Sequence, residues 1–562
     1  MIIAHDIGTT ADKASLHDMT GRLMATATSA YPVDFGASGR AEQDPELWWR
    51  AVVATTTELL ARGGVAPRDI DAVGLSGQMM GAVFLGPDFN PVRPAVIWAD
   101  QRAAAQAARL TASIPAEESY RRTGHRMSAS YSLPKVMWVQ ENEPEVWKRT
   151  AHVCLAKDFV VHRMTGRLLT DPSDASGTNA FAQVSGTWWP EMFEAAGVSC
   201  DLFPEVVSST TVAGGLRPAA AAELGLAVGT PVVLGGGDGP MASVGVGSLG
   251  PEDDAYISLG SSAWLATASE QPLQDPLMRT FTFNHVVPKK YVPMAMMQSA
   301  GSSLDWVTDL LRPGAGHDDV SELLKGAGEV RAAQEGLFFL PYLMGERSPR
   351  WSTDARGTFL GLSRHHDPRH LVRAVLEGVA FNMGACAEAF KAGGTSIKRV
   401  SVVGGGAASD LWLQIFADVL GFPVSRRSTI SDANSLGCAI TALVGVGAID
   451  GFDVARTQSS RQATFLPGME SDGYALAAAH FESAYSDLTD WFARMGDYRR
   501  LGEAQRVGPQ QAWRKRRKHH EVVHRQRGAP APGAPPEDRS VCRGDHESDS
   551  SRTSRGQTHG AP

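Results

Sequence analysis

The sequence predicts an α/β fold built from two related halves. Strand-like apolar runs alternate with amphipathic helical stretches along most of the chain. Several of the strand patterns end in glycine turns. Two of those turns share one design, Ile2-Ile3-Ala4-His5-Asp6-Ile7-Gly8-Thr9-Thr10 and Ala255-Tyr256-Ile257-Ser258-Leu259-Gly260-Ser261-Ser262. Each is a strand, one polar residue, one apolar residue, a glycine and two hydroxyls. One opens the first half and the other opens the second, so a supersecondary unit is repeated rather than a short solenoid period.

The elements follow in order. The chain enters its first strand directly at Met1, with no basic segment or cleavage site ahead of it. Helical periodicity covers residues 45–62, 368–392 and 409–420. In the last of these Leu411, Ile415, Phe416 and Val419 form an apolar stripe, and Ser409 stands at the N-cap position. A break at Ser248-Leu249-Gly250-Pro251 places a domain boundary between residues 1–250 and 251–500. Residues 501–562 change composition: Arg514-Lys515-Arg516-Arg517-Lys518 precedes a Pro, Gly and Ser-rich end. Such a segment cannot bury enough apolar surface to order itself, and disorder is expected.

Composition narrows the function classes. With 562 residues the chain has room for a large core and more than one domain. A net charge of −8 argues against nucleic acid or an anionic membrane as the main partner. No apolar run reaches the ~18 residues of a membrane span. Five scattered cysteines show no zinc spacing and suit a reducing cytoplasm. The partners expected are small molecules, in a chain compatible with a homodimer.

The two remaining glycine turns carry the chemistry. Thr230-Pro231-Val232-Val233-Leu234-Gly235-Gly236-Gly237-Asp238-Gly239 sets one carboxylate at the C-terminal end of a buried strand, where open α/β sheets hold ligands. Taken alone, an Asp after glycines is more often a helix N-cap, and that reading of Asp238 stands beside the functional one. The other turn is Val402-Val403-Gly404-Gly405-Gly406-Ala407. A Gly-hydroxyl-hydroxyl hairpin offers backbone N–H and side-chain O–H donors to an anion. Two of them facing one cleft would hold a polyphosphate from both sides. There is no G-x-x-x-x-G-K-[ST] run, which argues against a P-loop enzyme.

Two longer motifs extend this pattern: Ser-Tyr-Ser-Leu-Pro-Lys-Val-Met-Trp-Val-Gln-Glu-Asn at residues 130–142, and residues 357–377, which open Gly-Thr-Phe-Leu-Gly-Leu and close His-Leu-Val-Arg-Ala-Val-Leu-Glu. With the glycine hairpins they make the chain resemble the FGGY carbohydrate kinases, most of all the xylulokinases, over roughly residues 1–495. The resemblance implies two ribonuclease-H-like domains of the actin, hexokinase and heat-shock-chaperone architecture, with ATP and sugar in an interdomain cleft. It implies ATP-dependent phosphorylation of a ketose, D-xylulose first, with other pentuloses, hexuloses and polyols as alternatives. A reading from a different class is an actin-like nucleotide switch with no sugar substrate.

Roles for named residues follow from the resemblance. Asp238 becomes the general base that takes the sugar hydroxyl proton as the P–O bond forms. Gly8, Thr9 and Thr10 would meet the phosphates from one side, and Gly260, Ser261 and Ser262 from the other. Asp6 would bind Mg²⁺, which takes one or two carboxylates and keeps several waters. Lys13 falls at the basic position of the family's D-x-G-T-x-x-x-[KR] pattern and would neutralise the transferring group. Gly404, Gly405 and Gly406 match the adenosine site. Gln78, Met79, Met80, Asp100 and Arg102 fall in stretches that line the ketose pocket. Met80 departs from the histidine usual in xylulokinases, and a thioether cannot donate a hydrogen bond. The Gly345-Glu346-Arg347-Ser348-Pro349 stretch also matches the family, without an assigned chemistry.

Overall fold

The computed structural model describes residues 1–331, 336–428 and 433–526. Its first sheet has six strands: β1 (Ile2–Ile7), β2 (Ala11–His17), β3 (Leu23–Ala30), β4 (Ala72–Gly77), β5 (Val212–Gly215) and β6 (Pro231–Gly237), in the order β5-β6-β4-β1-β2-β3. Its second has seven: β7 (Ala255–Leu259), β8 (Ala263–Ala266), β9 (Phe281–Asn284), β10 (Tyr291–Met297), β11 (Val400–Val403), β12 (Val424–Arg427) and β13 (Arg461–Phe465), in the order β9-β10-β8-β7-β11-β12-β13.

The two sheets superimpose in logic. In each, a hairpin pairs antiparallel, β1 with β2 and β7 with β8. In each, the first strand of that hairpin then runs parallel to two more, β4 and β6 in one sheet, β11 and β12 in the other. An antiparallel edge strand closes each of them, β5 and β13. The repeated turn seen in the sequence is thus the signature of a repeated mixed sheet. Every residue of β1 is buried, as expected of a strand covered on both faces.

Helices supply the layers. Helix α1 (Pro45–Gly63) is capped by Asp44, which accepts from Glu46 N, and ends at Gly64 in the left-handed region. Helix α2 (Ala156–Thr165) adds Phe159, Val160, Val161 and Met164 to the core of the first sheet. Helix α3 (Asp238–Gly245) leaves the end of β6. Helices α4 (Pro368–Ala392) and α5 (Asp410–Leu420) lie at the predicted places, and Ser409 caps α5 by accepting from Trp412 N. The buried face of α5 is wider than the predicted stripe, since Trp412 and Leu413 are also in the core.

Helix α6 (Ala433–Gly445) belongs to the second half by sequence but packs on the first sheet. Its Cys438, Ala439, Ile440, Ala442 and Leu443 share a core with Ile2, Ala4, Ala72 and Val233. The two halves therefore do not have wholly separate cores. The last helix, α7 (Ser471–Gln526), runs past the expected start of disorder. Its backbone stays helical through the Arg, Lys, Gln and Glu-rich stretch, residues of high helix propensity. The rest of the expected tail, residues 527–562, lies outside the described residues. Among the described residues no helix is long and apolar enough to cross a membrane.

Candidate active site

The carboxyl ends of β1 and β6, together with the β7–β8 turn, converge on a cavity of about 250 Å³. Thr9 from the first hairpin and Ser262 from the second both line it. Asp238 and Gly239 line it from the start of α3. Met79, Met80, Trp98, Trp264, Phe281, Phe283, Met294, Met296 and Arg347 make up the rest of its lining. A mostly apolar cavity with a few converging polar groups is the usual form of a small-molecule site.

The turn that carries Asp238 is held by close packing. Gly235 has φ +71°, and a Cβ there would sit 1.6 Å from the Leu75 carbonyl. Only glycine lets β6 lie that close to β4. The close approach expected of these glycines is thus made to the protein's own strand. A polar chain then fixes the elbow. Gly237 N donates to Ser173 Oγ at 2.9 Å, and Ser173 Oγ donates to Asp171 Oδ2 at 2.6 Å. The Lys157 ammonium, fully buried, lies 3.4 Å from Asp171 and 2.8 Å from Asp158. Sequence reasoning missed this support. Its signal was a set of charged residues inside otherwise apolar patterns, Lys157-Asp158 and Asp171-Pro172-Ser173-Asp174.

Asp238 is half-buried and does not cap its helix in the ordinary way; its Oδ1 accepts only from the adjacent Gly239 N, at 2.8 Å. Burial pushes its carboxyl up to about 7, and the neighbouring Asp6 charge adds to the rise. Asp6 is buried and its pKa is also raised, by burial above all. Asn434 Nδ2, from the second half, donates to Asp6 Oδ2 at 3.2 Å, while Oδ1 is buried with no hydrogen-bond partner. Lys13 stands opposite Asp6 in the β1–β2 ladder, exposed, and its charge favours the ionised form of Asp6.

Both hairpins are tight. Gly8 N donates to Asp6 O and Ala11 O, each at 3.0 Å, and Gly260 N donates to Ser262 O at 2.9 Å. Thr9 Oγ1 accepts from Trp98 Nε1 at 2.9 Å, and Thr10 is exposed. The Ser261 carbonyl accepts from Ala300 N at 2.8 Å and from Ser302 N at 3.1 Å. At the third turn, Gly404 has φ +91°, and a Cβ on Gly404 or Gly406 would meet Leu259 within 2.6 Å. A Cβ on Gly405 would meet nothing within 4 Å. Gly404 and Gly406 are therefore needed for packing behind the second hairpin, and Gly405 faces open space.

Of the residues expected to bind sugar, Met79 and Met80 line the cavity and the other three do not. Gln78 is buried beneath it, where its Nε2 donates to Gln43 Oε1 at 2.8 Å and to Gly8 O at 3.3 Å. Asp100 accepts from Ala41 N at 2.8 Å and from Arg102 N at 3.0 Å. The Arg102 guanidinium pairs with Asp100 and Glu42 and stacks 4.2 Å over Trp138. Conversely, the cavity contains Trp264, Phe281, Phe283, Met294, Met296 and Arg347, which were not assigned to it. Trp98, from the same pocket stretch as Asp100 and Arg102, lines it as well, and Arg347 carried a signal in the Gly-Glu-Arg-Ser-Pro stretch.

Comparison with known proteins shows the family. The FGGY family of carbohydrate kinases matches through its N-terminal domain over residues 1–245 and its C-terminal domain over residues 255–446. Xylulose kinase from Escherichia coli (strain K12) is 34% identical over 496 residues, spanning 88% of this chain and 98% of that protein. Gluconokinase from Bacillus subtilis (strain 168) is 28% identical over 456 residues, spanning 80% of this chain and 88% of that protein. The ligand-bound xylulose kinase structure from Lactobacillus acidophilus matches with a TM-score of 0.83 at 26% identity, over 88% of this chain and 99% of that one. The fold and cavity define a two-domain sugar kinase. The chain belongs to the FGGY family of carbohydrate kinases.

Proposed function

We propose that the chain transfers the γ-phosphoryl group of ATP to a ketose, D-xylulose in the first place, giving D-xylulose 5-phosphate. One observation carries this reading. The half-buried carboxylate of Asp238 lines a sugar-sized cavity whose rim holds one hydroxyl residue from each glycine hairpin, Thr9 and Ser262. The xylulose kinases among the relatives and solved structures support the choice of sugar.

The sugar lies against Trp98 and Trp264 with the reacting hydroxyl toward Asp238. Asp238 accepts its proton as the oxygen attacks phosphorus, and ADP leaves. Little covalent chemistry is asked of the protein, so positioning and charge neutralisation carry the rate. The backbone N–H groups and hydroxyls of Gly8, Thr9 and Thr10 on one side, and Gly260, Ser261 and Ser262 on the other, hold the phosphates. Lys13 reaches the transferring group from the Asp6 face of the sheet. Gly405 leaves room for the adenosine, with Gly404 and Gly406 shaping the turn. The buried, partnerless Asp6 Oδ1 fits a divalent cation. Asp6 would hold Mg²⁺, which supplies charge neutralisation at the phosphates when bound. Gln78 supports the first hairpin, and Asp100 with Arg102 frames the pocket from outside its lining. The kinase acts in the cytoplasm, which suits its thiols: Cys154, Cys200, Cys386 and Cys438 are all free.

ADP release by the purified protein with Mg·ATP tests the proposal across pentuloses, hexuloses, polyols and aldonates. Fast release is expected with D-xylulose. The same panel examines a second reading, phosphorylation of a sugar acid, which the gluconokinase relative favours. Equal release with and without every sugar would leave only the nucleotide-switch reading.

A further inference from the structure

Arg347 is the one cation among the described residues that line the cavity. It is 8% exposed. Among the described residues its guanidinium forms no ion pair, and its Nη2 is buried without a hydrogen-bond partner. Nη1 reaches the Met296 sulfur, at 3.6 Å, and the guanidinium also lies within hydrogen-bonding reach of the Tyr131 hydroxyl, which is itself 3.0 Å from His125 Nδ1. The rings of Phe281 and Trp351 lie 5.3 and 5.6 Å from its Cζ. The adjacent carboxylate does not serve it. Glu346 is turned to the backbone, where Oε1 accepts from Gln298 N and Arg347 N, both at 2.8 Å, and Oε2 accepts from Asn382 Nδ2 at 3.1 Å. Arg350, three positions on, shows the contrasting case: Glu482 receives its guanidinium through both oxygens and Tyr342 Oη accepts from Nε at 3.0 Å.

Beside Arg347 no second cation is available to a bound molecule. Burial, and after it the Arg347 charge, holds His125 down to about 3, so that imidazole is neutral. Lys135 is buried and depressed, with its Nζ donating to the Ala129 carbonyl at 2.8 Å. A buried guanidinium without a carboxylate is costly, and a protein tolerates one where a ligand supplies the missing acceptor. A guanidinium carries five donors and no acceptor. Its cavity-lining neighbours Phe281 and Met296 offer no good acceptor, and the Tyr131 hydroxyl is already engaged by His125 and the guanidinium. A hydroxyl bound at Nη2 would satisfy Arg347 but find no free acceptor among these groups for its own proton. A carbonyl oxygen, an acceptor only, leaves nothing unpaired.

We infer that Arg347 reads the carbonyl end of the substrate, selecting a 2-ketose over the corresponding alditol, while Asp238 acts at the other end. The inference rests on the ketose reading above. Buried polar groups left unpaired by an analogue are what give such sites strong discrimination.

The test compares wild type, R347M and R347K with D-xylulose and with its alditols. Sugar binding without ATP is followed by tryptophan fluorescence, since Trp98 and Trp264 line the cavity. R347M is expected to weaken the ketose Kd by ~10²-fold or more and to lower the ketose-to-alditol ratio of kcat/KM by at least ~10-fold. R347K, which keeps a donor, should recover part of that ratio, and thermal melts identify any variant that fails to fold. Equal losses for ketose and alditol in folded R347M and R347K would overturn the assignment, as would an unchanged ketose Kd. A wild type that turns over no ketose overturns the proposed function instead, a result read without any variant.

Discussion

Two groups of charged residues near the candidate site teach opposite lessons. Glu42, Asp100 and Arg102 form a closed network: each Asp100 oxygen accepts a backbone N–H, and Arg102 bridges both acids while stacking on Trp138. Asp6, Asp238 and Arg347 are open. Asp6 Oδ1 and Arg347 Nη2 have no hydrogen-bond partner, and Asp238 accepts only from its neighbour's N–H. Buried polar groups in a folded protein are normally satisfied. A closed network holds structure, and an open one awaits a ligand. The comparison can be broken by substitution on either side.

The largest effect is expected at Asp238. Asp238→Asn is nearly isosteric, so fold and nucleotide binding should survive, while kcat falls by at least ~10²-fold, the scale of losing a general base. Steady-state kinetics and a nucleotide titration check this. Near wild-type turnover would remove Asp238 from the chemistry.

Met80 comes next. It lines the cavity at φ +64°, a region where histidine is better tolerated than most side chains. Met80→His adds a donor and should raise kcat/KM for D-xylulose by roughly tenfold, the value of one net hydrogen bond of about 1.4 kcal/mol. A uniform loss across all sugars would mean that Met80 is a packing residue.

The closed network should respond in stability. Arg102→Met leaves Asp100 without its ion-pair partner, while Glu42 keeps Arg93 and Arg40, and unfolding free energy should fall by about 3 kcal/mol, toward the lower end of the cost of breaking a buried ion pair. The sugar KM should change less than about threefold. A denaturant midpoint beside kinetics measures both, and a large KM effect with unchanged stability would return Arg102 to the substrate site.

Much of the fold was legible because it is local. The repeated strand-Gly-hydroxyl turn announced the repeated sheet, and the cap of α5 stood where Ser409 predicted. The packing of α6 on the first sheet was not legible, since nothing in an apolar helix says which sheet it covers. Motif position picked out Thr9, Met79, Met80, Asp238 and Ser262, which line the cavity. It could not separate Asp100 and Arg102, which close on each other, from Arg347, which does not. That difference depends on partners distant in sequence, such as Ala41 for Asp100. The aromatic and methionine walls look like any other core residues until the strands that carry them face a cavity. Charged helix formers after residue 501 carried α7 further than composition alone suggested.

The pH dependence of kcat/KM for the ketose tests the central claim most directly, because it reads the open carboxylate itself. Burial and Asp6 together raise Asp238 to about 7. A base must be unprotonated to act, so activity should climb with pH, with a slope near one on logarithmic axes below about pH 7, and level off above it. In Asp238→Asn the residual rate should lose this limb. A flat profile from about pH 5.5 to 8.5 in the wild type, or a limb that persists in Asp238→Asn, would contradict the account.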